Sequence, residues 1–109
     1  MATHEEYTRR LEQQTRRPCG PGGLLADFLE NTGLTQGDAA KRMKVSRQTV
    51  SDLVNDRRYL TPDMANRLAI LCGDNPGFWL RLQQQRDMWD ALHMDKSAFK
   101  DVEPYRQAA

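Results

Sequence analysis

The sequence predicts an all-α fold of five helices, and three features of its 109 residues indicate this. Apolar residues recur at the three- and four-residue intervals of a helix buried on one side, and no segment shows convincing strand alternation. Capping residues or prolines open most of these segments, and glycines close several of them. The length allows one modest core but not two. We therefore expect a single helical domain with a polar segment at each end.

The first predicted core helix covers residues 24–31. Leu25, Phe28 and Leu29 share one face of it, and Gly33 is suited to end it in a left-handed conformation. The glycines and prolines just before it indicate a hinge. Residues 1–17 are highly polar, and Tyr7 and Leu11 are their only large apolar side chains at helical spacing. This is too little apolar surface to hold a helix in place. The predicted organisation is a flexible N-terminal arm, a domain and a C-terminal tail, over residues 1–19, 20–94 and 95–109.

Residues 35–55, TQGDAAKRMKVSRQTVSDLVN, have the pattern of two short helices joined by a tight turn. Ala40 is small at the point where two crossing helices must approach each other, and Val50 and Leu53 face the core. Only three or four residues set the crossing angle of a helix-turn-helix, so small and apolar residues must recur at fixed positions. Ser46 can cap the second helix by accepting an unpaired backbone N–H. The motif is typical of proteins that read DNA.

The second helix of the motif carries a wholly polar face opposite its apolar one. Glutamine can pair with adenine through two hydrogen bonds, aspartate can accept from the cytosine amino group, and serine or threonine can do either. An arginine at the start of the helix can reach a guanine or a phosphate. The predicted base-reading residues are Arg47, Gln48, Thr49, Ser51 and Asp52. The alternative is an ordinary amphipathic helix with a solvated face, but the preceding helix, the cap and the turn favour DNA binding.

The formal net charge is only +1, which argues against a general polyanion binder. Its distribution is uneven, because residues 35–58 contain six lysines and arginines but three aspartates. The predicted phosphate contacts are Gln36, Lys44, Asn55, Arg57 and Arg58. The alternative for the two arginines of the following loop is an ordinary solvated surface charge.

The fourth and fifth helices both begin at proline. Thr61 and Pro62 open the fourth helix, which extends to residue 72 and ends at Gly73. Asn75 and Pro76 repeat the signal for a fifth helix that extends to residue 92.

One helix pair reads only a few base pairs, so useful specificity calls for a dimer on a palindromic site. The fifth helix, which carries several aromatic residues, is the candidate dimer interface. The predicted dimer-interface residues are Trp79, Arg86 and Trp89. The alternative for such aromatic residues is packing in the core of the monomer.

Other classes of function lack their usual signals. His4 and His93 stand in no catalytic or phosphate-binding motif, and with Cys19 and Cys72 they form no metal-ligand spacing. We therefore expect neither catalysis nor a metal or cofactor. No apolar run approaches the roughly 20 residues needed to cross a bilayer, and no signal peptide opens the chain. A cytoplasmic protein without a membrane partner is expected.

Four segments form a recognisable set: PGGLLADFL, the helix-turn-helix, LTPDMANRLAILCG and NPGFWLRLQ. Together, over residues 20–90, they resemble the HigA antitoxin family, a branch of the lambda-repressor-like, XRE-type DNA-binding proteins. The helix-turn-helix is common to many repressors, whereas NPGFWLRLQ and the Pro21–Gly22 step are the narrower signal. The resemblance implies a lambda-repressor-like fold and a homodimer that binds double-stranded operator DNA. It also implies neutralisation of a HigB-like toxin of the RelE-like, mRNA-cleaving class, and repression of the toxin–antitoxin operon.

The chain departs from the family pattern in three places. Residues 20–23 are Gly-Pro-Gly-Gly where the family usually has His-Pro-Gly-Glu, so contacts of that His or Glu are absent. Lys44 occupies a turn position often held by glycine, which suggests a left-handed lysine or a slightly different turn. The Arg-rich arm is longer than in many members.

A stand-alone repressor without a toxin partner is the alternative function. The two functions differ in their need for an accessory surface, because blocking an enzyme requires one and reading DNA does not. The arm, with its interleaved arginines and glutamates, could supply that surface or could be a solvated tail. The acidic residues Asp87, Asp90 and Asp95 are further candidates for contact with a basic toxin.

Overall fold

The computed structural model describes residues 4–106, which form six α-helices and one short 3-10 helix. The helices are α1 (His4–Gln13), α2 (Pro21–Thr32), α3 (Gln36–Met43), α4 (Arg47–Val54), α5 (Pro62–Cys72) and α6 (Pro76–His93), and the 3-10 helix is Ser97–Phe99. No strand occurs between residues 4 and 106. The predicted all-α fold is confirmed, and its five-helix domain corresponds to α2–α6; α1 is an additional helix before that domain.

One core lies between α2, α3, α4, α5 and the first half of α6. Ala39 and Ala40 are buried on α3 and allow it to cross α4 closely. The remaining buried residues of the core are Leu25, Leu29, Met43, Val50, Leu53, Leu60, Met64, Ala65, Leu68, Ala69 and Trp79. Because α4 is held by Val50 and Leu53, its opposite side is free to face solvent.

Local capping chemistry sets the helix ends. The side chains of Ser46, Thr61 and Asn75 accept backbone N–H groups at 3.1, 3.2 and 2.9 Å, as the sequence predicts. Gly33 and Gly73 end α2 and α5 with φ of 76° and 77°. These five boundaries are confirmed because each depends on residues within a few positions of the helix end.

At the start of α3, Thr35 and Asp38 form a reciprocal pair that the sequence analysis missed. The Asp38 backbone donates to the Thr35 hydroxyl at 3.0 Å, and the Thr35 backbone donates to the Asp38 carboxylate at 3.1 Å. The second of these bonds lowers the pKa of Asp38. The first helix of the motif is therefore fixed at its N-terminus.

The predicted hinge before residue 24 is wrong, because α2 already begins at Pro21. Proline is well tolerated at the first position of a helix, where its missing N–H would be unpaired in any case. Gly22 is buried where α2 meets the end of α4. A Cβ atom there would collide with the Leu53 carbonyl oxygen and the Asp56 carboxylate. The glycine therefore permits close packing of α2 on α4 rather than a break in the chain.

Replacing Gly22 with alanine is expected to lower the free energy of unfolding by about 1–3 kcal/mol, because the added methyl group overpacks this crossing. Gly37→Ala is the matched control, since a Cβ there meets only the Thr35 hydroxyl oxygen, at 3.7 Å. Urea denaturation of both variants measures the difference. Equal stability of the two variants would show that α2 and α4 are not in such close contact.

The N-terminal segment also differs from its prediction. The sequence predicts a flexible arm over residues 1–19, but α1 packs against α6. The indole N–H of Trp89 donates to the Gln14 carbonyl oxygen at 2.8 Å. The guanidinium of Arg17 donates to both carboxylate oxygens of Asp90, at 2.7 and 2.6 Å. Hydrogen bonds between the arm and α6, which are distant in sequence, thus supplement the small apolar surface of the arm. Residues 1–3 lie outside the described part.

The C-terminal segment has little regular structure. Between residues 95 and 106 the 3-10 helix is the one regular element, and residues 107–109 lie outside the described part. Its large apolar side chains, Phe99, Val102 and Tyr105, are exposed.

Candidate nucleic-acid interface

The turn between α3 and α4 is built around Lys44, which has φ 60° and ψ 43°. This left-handed residue is the first of the two outcomes expected from lysine at this position. The next residue, Val45, donates its N–H to the Ala40 carbonyl oxygen at 3.0 Å and so closes the end of α3. The turn is therefore well defined, and it sets the direction in which α4 leaves the core.

Arg67 of α5 also holds this turn, which the sequence analysis did not foresee. One guanidinium nitrogen donates to the Met43 carbonyl oxygen at 2.7 Å, and Nε donates to Asp63 at 2.9 Å. A cation at the C-terminal end of a helix satisfies free carbonyl groups and the helix dipole together. The i,i+4 spacing of Asp63 and Arg67 was the available signal, but the target carbonyl is 24 residues away.

Replacing Lys44 with glycine is expected to raise the free energy of unfolding by about 0.5–1 kcal/mol, since glycine adopts this conformation without the Cβ penalty. The same change should weaken DNA binding and lower its salt dependence by roughly one phosphate contact. Lys44→Ala is the control that removes the charge but keeps the strain. Thermal unfolding and fluorescence anisotropy at several salt concentrations measure both effects. Unchanged DNA affinity in both variants would remove Lys44 from the interface.

The five candidate base-reading residues lie on α4 outside its buried side, which is formed by Val50 and Leu53. We call this surface the polar face of α4, and its residues are Arg47, Gln48, Thr49, Ser51 and Asp52. Arg47 and Gln48 are exposed, and the other three are partly exposed. The face is ordered by local hydrogen bonds. The Gln48 amide donates to Asp52 at 2.8 Å, and the hydroxyl groups of Ser46 and Thr49 are 2.9 Å apart. The side chains thus have defined directions on a rigid helix.

The candidate phosphate contacts surround the polar face of α4. Gln36 is the first residue of α3, and Lys44 lies in the turn before α4. Asn55 ends α4, where its side-chain amide donates to the Ser51 carbonyl oxygen at 2.9 Å. Arg57 and Arg58 are exposed in the loop that follows and line an open polar cleft of about 220 Å³. The structure therefore places these residues at the start of α3, in the turn between the two helices, and at and after the end of α4.

The three candidate dimer residues are all engaged within the chain. Trp79 is 1% exposed, and its indole N–H donates to Asp74 at 2.6 Å, so its assignment to a dimer seam is wrong. It belongs to the monomer core, where the edge of its ring meets Phe78. Arg86 pairs with Asp56 at 2.7 Å. Trp89 stacks on His93 with ring centroids 4.1 Å apart, besides its bond to the arm.

Ion pairs connect α6 to the end of α4 and to the arm. Asp56 has φ 57°, and this left-handed conformation turns the chain after α4 beside Arg86. The hydrogen bond from Arg17 lowers the pKa of Asp90. The hydrogen bond to Asp87 raises the pKa of Tyr59, because the phenol donates to that carboxylate. No local sequence pattern marks Asp56 as the partner of Arg86, because the two residues are 30 positions apart.

Residues 4–106 lack two further features, a metal-binding cluster and a membrane-spanning helix. This part of the chain contains no cluster of three or more His, Cys, Asp or Glu side chains able to hold a metal ion. None of its helices has the length and apolar content needed to cross a bilayer.

Comparison with known proteins identifies helix-turn-helix proteins as relatives of this chain. The chain matches the helix-turn-helix family HTH_3 over residues 25–79. It is 38% identical over 95 residues to antitoxin HigA-1 of Vibrio cholerae, covering 86% of this chain and 90% of the relative. It is 41% identical over 81 residues to YbaQ of Escherichia coli K12, an uncharacterised HTH-type transcriptional regulator, covering 73% of this chain and 72% of the relative.

A solved structure extends the comparison to a DNA complex. Pseudomonas aeruginosa antitoxin HigA, solved with the higBA promoter, is 31% identical in sequence with a TM-score of 0.70. The match covers 81% of this chain and 98% of that one. The similarity therefore includes the helix-turn-helix and the helices around it.

Proposed function

The chain belongs to the HTH_3 helix-turn-helix family and to its HigA branch, and on this basis we propose that it is the antitoxin of a type II toxin–antitoxin module. It neutralises a HigB-like toxin of the RelE-like, mRNA-cleaving class, and it binds operator DNA as a dimer to repress its own operon. The similarity to HigA-1 over 86% of the chain carries this proposal. The relatives are named as antitoxins and an HTH-type regulator, which supports a DNA-binding role without catalysis.

The DNA-binding part of the proposal rests on α4. Its polar face points away from the core, and basic side chains flank the helix, with Lys44 before it and Arg57 and Arg58 after it. In this proposal residues 20–94 form the DNA-binding and dimerisation unit. The polar face of α4 reads base edges, and the phosphate contacts come from Gln36, Lys44, Asn55, Arg57 and Arg58. Phosphate contacts provide most of the affinity and base contacts the specificity.

The toxin-binding part of the proposal rests on the arm. A helix-turn-helix domain can bind DNA without α1, yet this chain has α1 packed along the second half of α6. The acidic alternatives are less suited to this role, because their carboxylates have partners within the chain. Asp87 accepts from Tyr59 and Gln83, Asp90 from Arg17, and Asp95 from Ser97. We therefore assign the accessory surface to the arm.

Tagging the protein at its native locus, followed by gentle purification and mass spectrometry, tests the proposal. The expected result is a small basic partner recovered in fixed proportion, whose expression alone arrests growth and whose co-expression with this chain does not. An unrelated helix-turn-helix protein with the same tag is the control. Recovery of a homodimer alone, under conditions in which the neighbouring gene is expressed, would contradict the antitoxin function.

A stand-alone XRE-family repressor remains the second candidate. The 41% identity to YbaQ favours it, because that relative is named as a transcriptional regulator without mention of a toxin. Both candidates require the same DNA interface. They differ only in the outcome of the partner experiment.

A further inference from the structure

Gln48 and Asp52 form a hydrogen-bonded pair one turn apart on the polar face of α4. Nε2 of Gln48 donates to Oδ1 of Asp52 at 2.8 Å. An ionised carboxylate can only accept hydrogen bonds, so the amide must turn its nitrogen, and not its oxygen, towards Asp52. The pair thereby fixes which end of the amide faces along the helix. Oε1 and the second proton of Nε2 remain available.

We propose that Asp52 is a positioning residue that holds Gln48 in the one amide orientation able to read adenine. Each half-site of the operator then contains an adenine opposite Gln48. Asp52, one of the five candidate base-reading residues, acts in this proposal through Gln48 and contacts no base itself. The inference rests on the proposed DNA-binding function and adds a specific base to it.

The chemistry of the two groups matches. In the major groove adenine presents the N6 amino group as donor and N7 as acceptor. Oε1 of Gln48 accepts from N6, and the Nε2 proton on the same side as Oε1 donates to N7. Nε2 carries two protons, so the opposite one is left for the 2.8 Å bond to Asp52. All three hydrogen bonds can therefore form at once.

The same pair rejects guanine, which presents two acceptors, O6 and N7, at this edge. A held amide places Oε1 against O6, where two acceptors face each other without a proton. An unrestrained glutamine can rotate its amide by half a turn and donate to O6 or N7 instead. Asp52 therefore removes an alternative that would otherwise lower the discrimination between the two purines.

Asp52 has a second effect through its charge. A carboxylate on a surface that approaches phosphates weakens binding to every DNA sequence. Its removal should therefore increase affinity for non-specific DNA while it decreases discrimination. A residue that merely stabilises α4 would not produce these opposite changes.

Selection of binding sites from random DNA, followed by competition binding, tests the inference with four proteins. These are the unaltered chain, Gln48→Ala, Asp52→Ala and the double variant. Asp27→Ala is the control, because it removes an exposed carboxylate from α2. Sites selected by the unaltered chain should contain one shared adenine. Preference for adenine over guanine there should fall roughly 10-fold in Gln48→Ala and 3- to 10-fold in Asp52→Ala, which follows from the size of a bidentate base contact. The control should keep the preference.

The double variant separates positioning from direct reading. If Asp52 acts through Gln48, its removal has no further effect on adenine preference when Gln48 is already alanine. If Asp52→Ala removes a preference at a different base pair, either in the unaltered chain or in Gln48→Ala, then Asp52 reads a base itself and the inference is overturned. Unchanged adenine preference in Asp52→Ala would also overturn it. Failure of the unaltered chain to bind any selected DNA would contradict the proposed function as well.

Discussion

Replacing Trp79 with alanine is expected to lower the free energy of unfolding by about 3–5 kcal/mol, the range observed for large aromatic residues in well-packed cores. The side chain is 1% exposed and is among the largest fully buried side chains of the described residues. Its loss leaves a cavity between α6 and the rest of the core, and it also leaves Asp74 without its indole donor. Equilibrium denaturation in urea measures the change. This loss is a large part of the total stability of an ordinary small domain, so we expect much of the variant to be unfolded near physiological temperature.

Trp89→Ala is the matched control, since it removes the same side chain from the same helix. Trp89 is partly exposed, donates to the Gln14 carbonyl oxygen of the arm, and stacks on His93 of its own helix. We expect a loss of about 1–2 kcal/mol, because one hydrogen bond and a partly solvated stack are removed. An equal or larger effect at Trp89 would contradict the assignment of Trp79 to the core.

Replacing Arg47 with glutamate is expected to reduce affinity for operator DNA by at least about 100-fold, because like charges brought together at an interface cost several kcal/mol. Arg47 is exposed at the first position of α4, where the helix enters the proposed interface. In a dimer the substitution occurs in both half-sites, which doubles its energetic effect. The fold should remain intact, because a negative charge in the first turn of a helix is favourable. Fluorescence anisotropy on operator DNA, with thermal unfolding in parallel, measures both quantities.

Lys100→Glu is the control for this reversal of charge. Lys100 is exposed in the C-terminal segment, which contains none of the proposed DNA contacts. Its substitution should change affinity only slightly, through the net charge. Equal losses in the two variants would mean that binding depends on overall charge and not on the polar face of α4.

The helix-turn-helix could be predicted from the sequence because its signals are local. Ser46 caps α4 three residues from its partner, and Thr61 with Pro62 opens α5 in the same way. The left-handed Lys44 is one of the two outcomes expected from the resemblance, because the family often has glycine at this turn position. Periodicity then distinguished the buried face of α4 from its polar face. The residues proposed for DNA contact were found by the same reasoning.

Contacts between distant parts of the chain could not be predicted in this way. The arm is held by bonds such as that from Trp89 to Gln14, which are 75 residues apart and leave no mark on local periodicity. Trp79 was assigned to a dimer seam because an aromatic residue on a helix has the same pattern in a core and in an interface. The start of α2 was missed because glycine and proline usually break helices, whereas Gly22 is required here by the approach of α4.

Footprinting and affinity measurement on the DNA upstream of this gene test most directly whether the chain is a sequence-specific operator-binding protein of the HigA type. The predicted result is two protected half-sites about one helical turn apart. Affinity for this DNA should exceed that for a scrambled sequence by at least about 1,000-fold at physiological salt. Equal affinity for both sequences, without a protected site, would contradict the account.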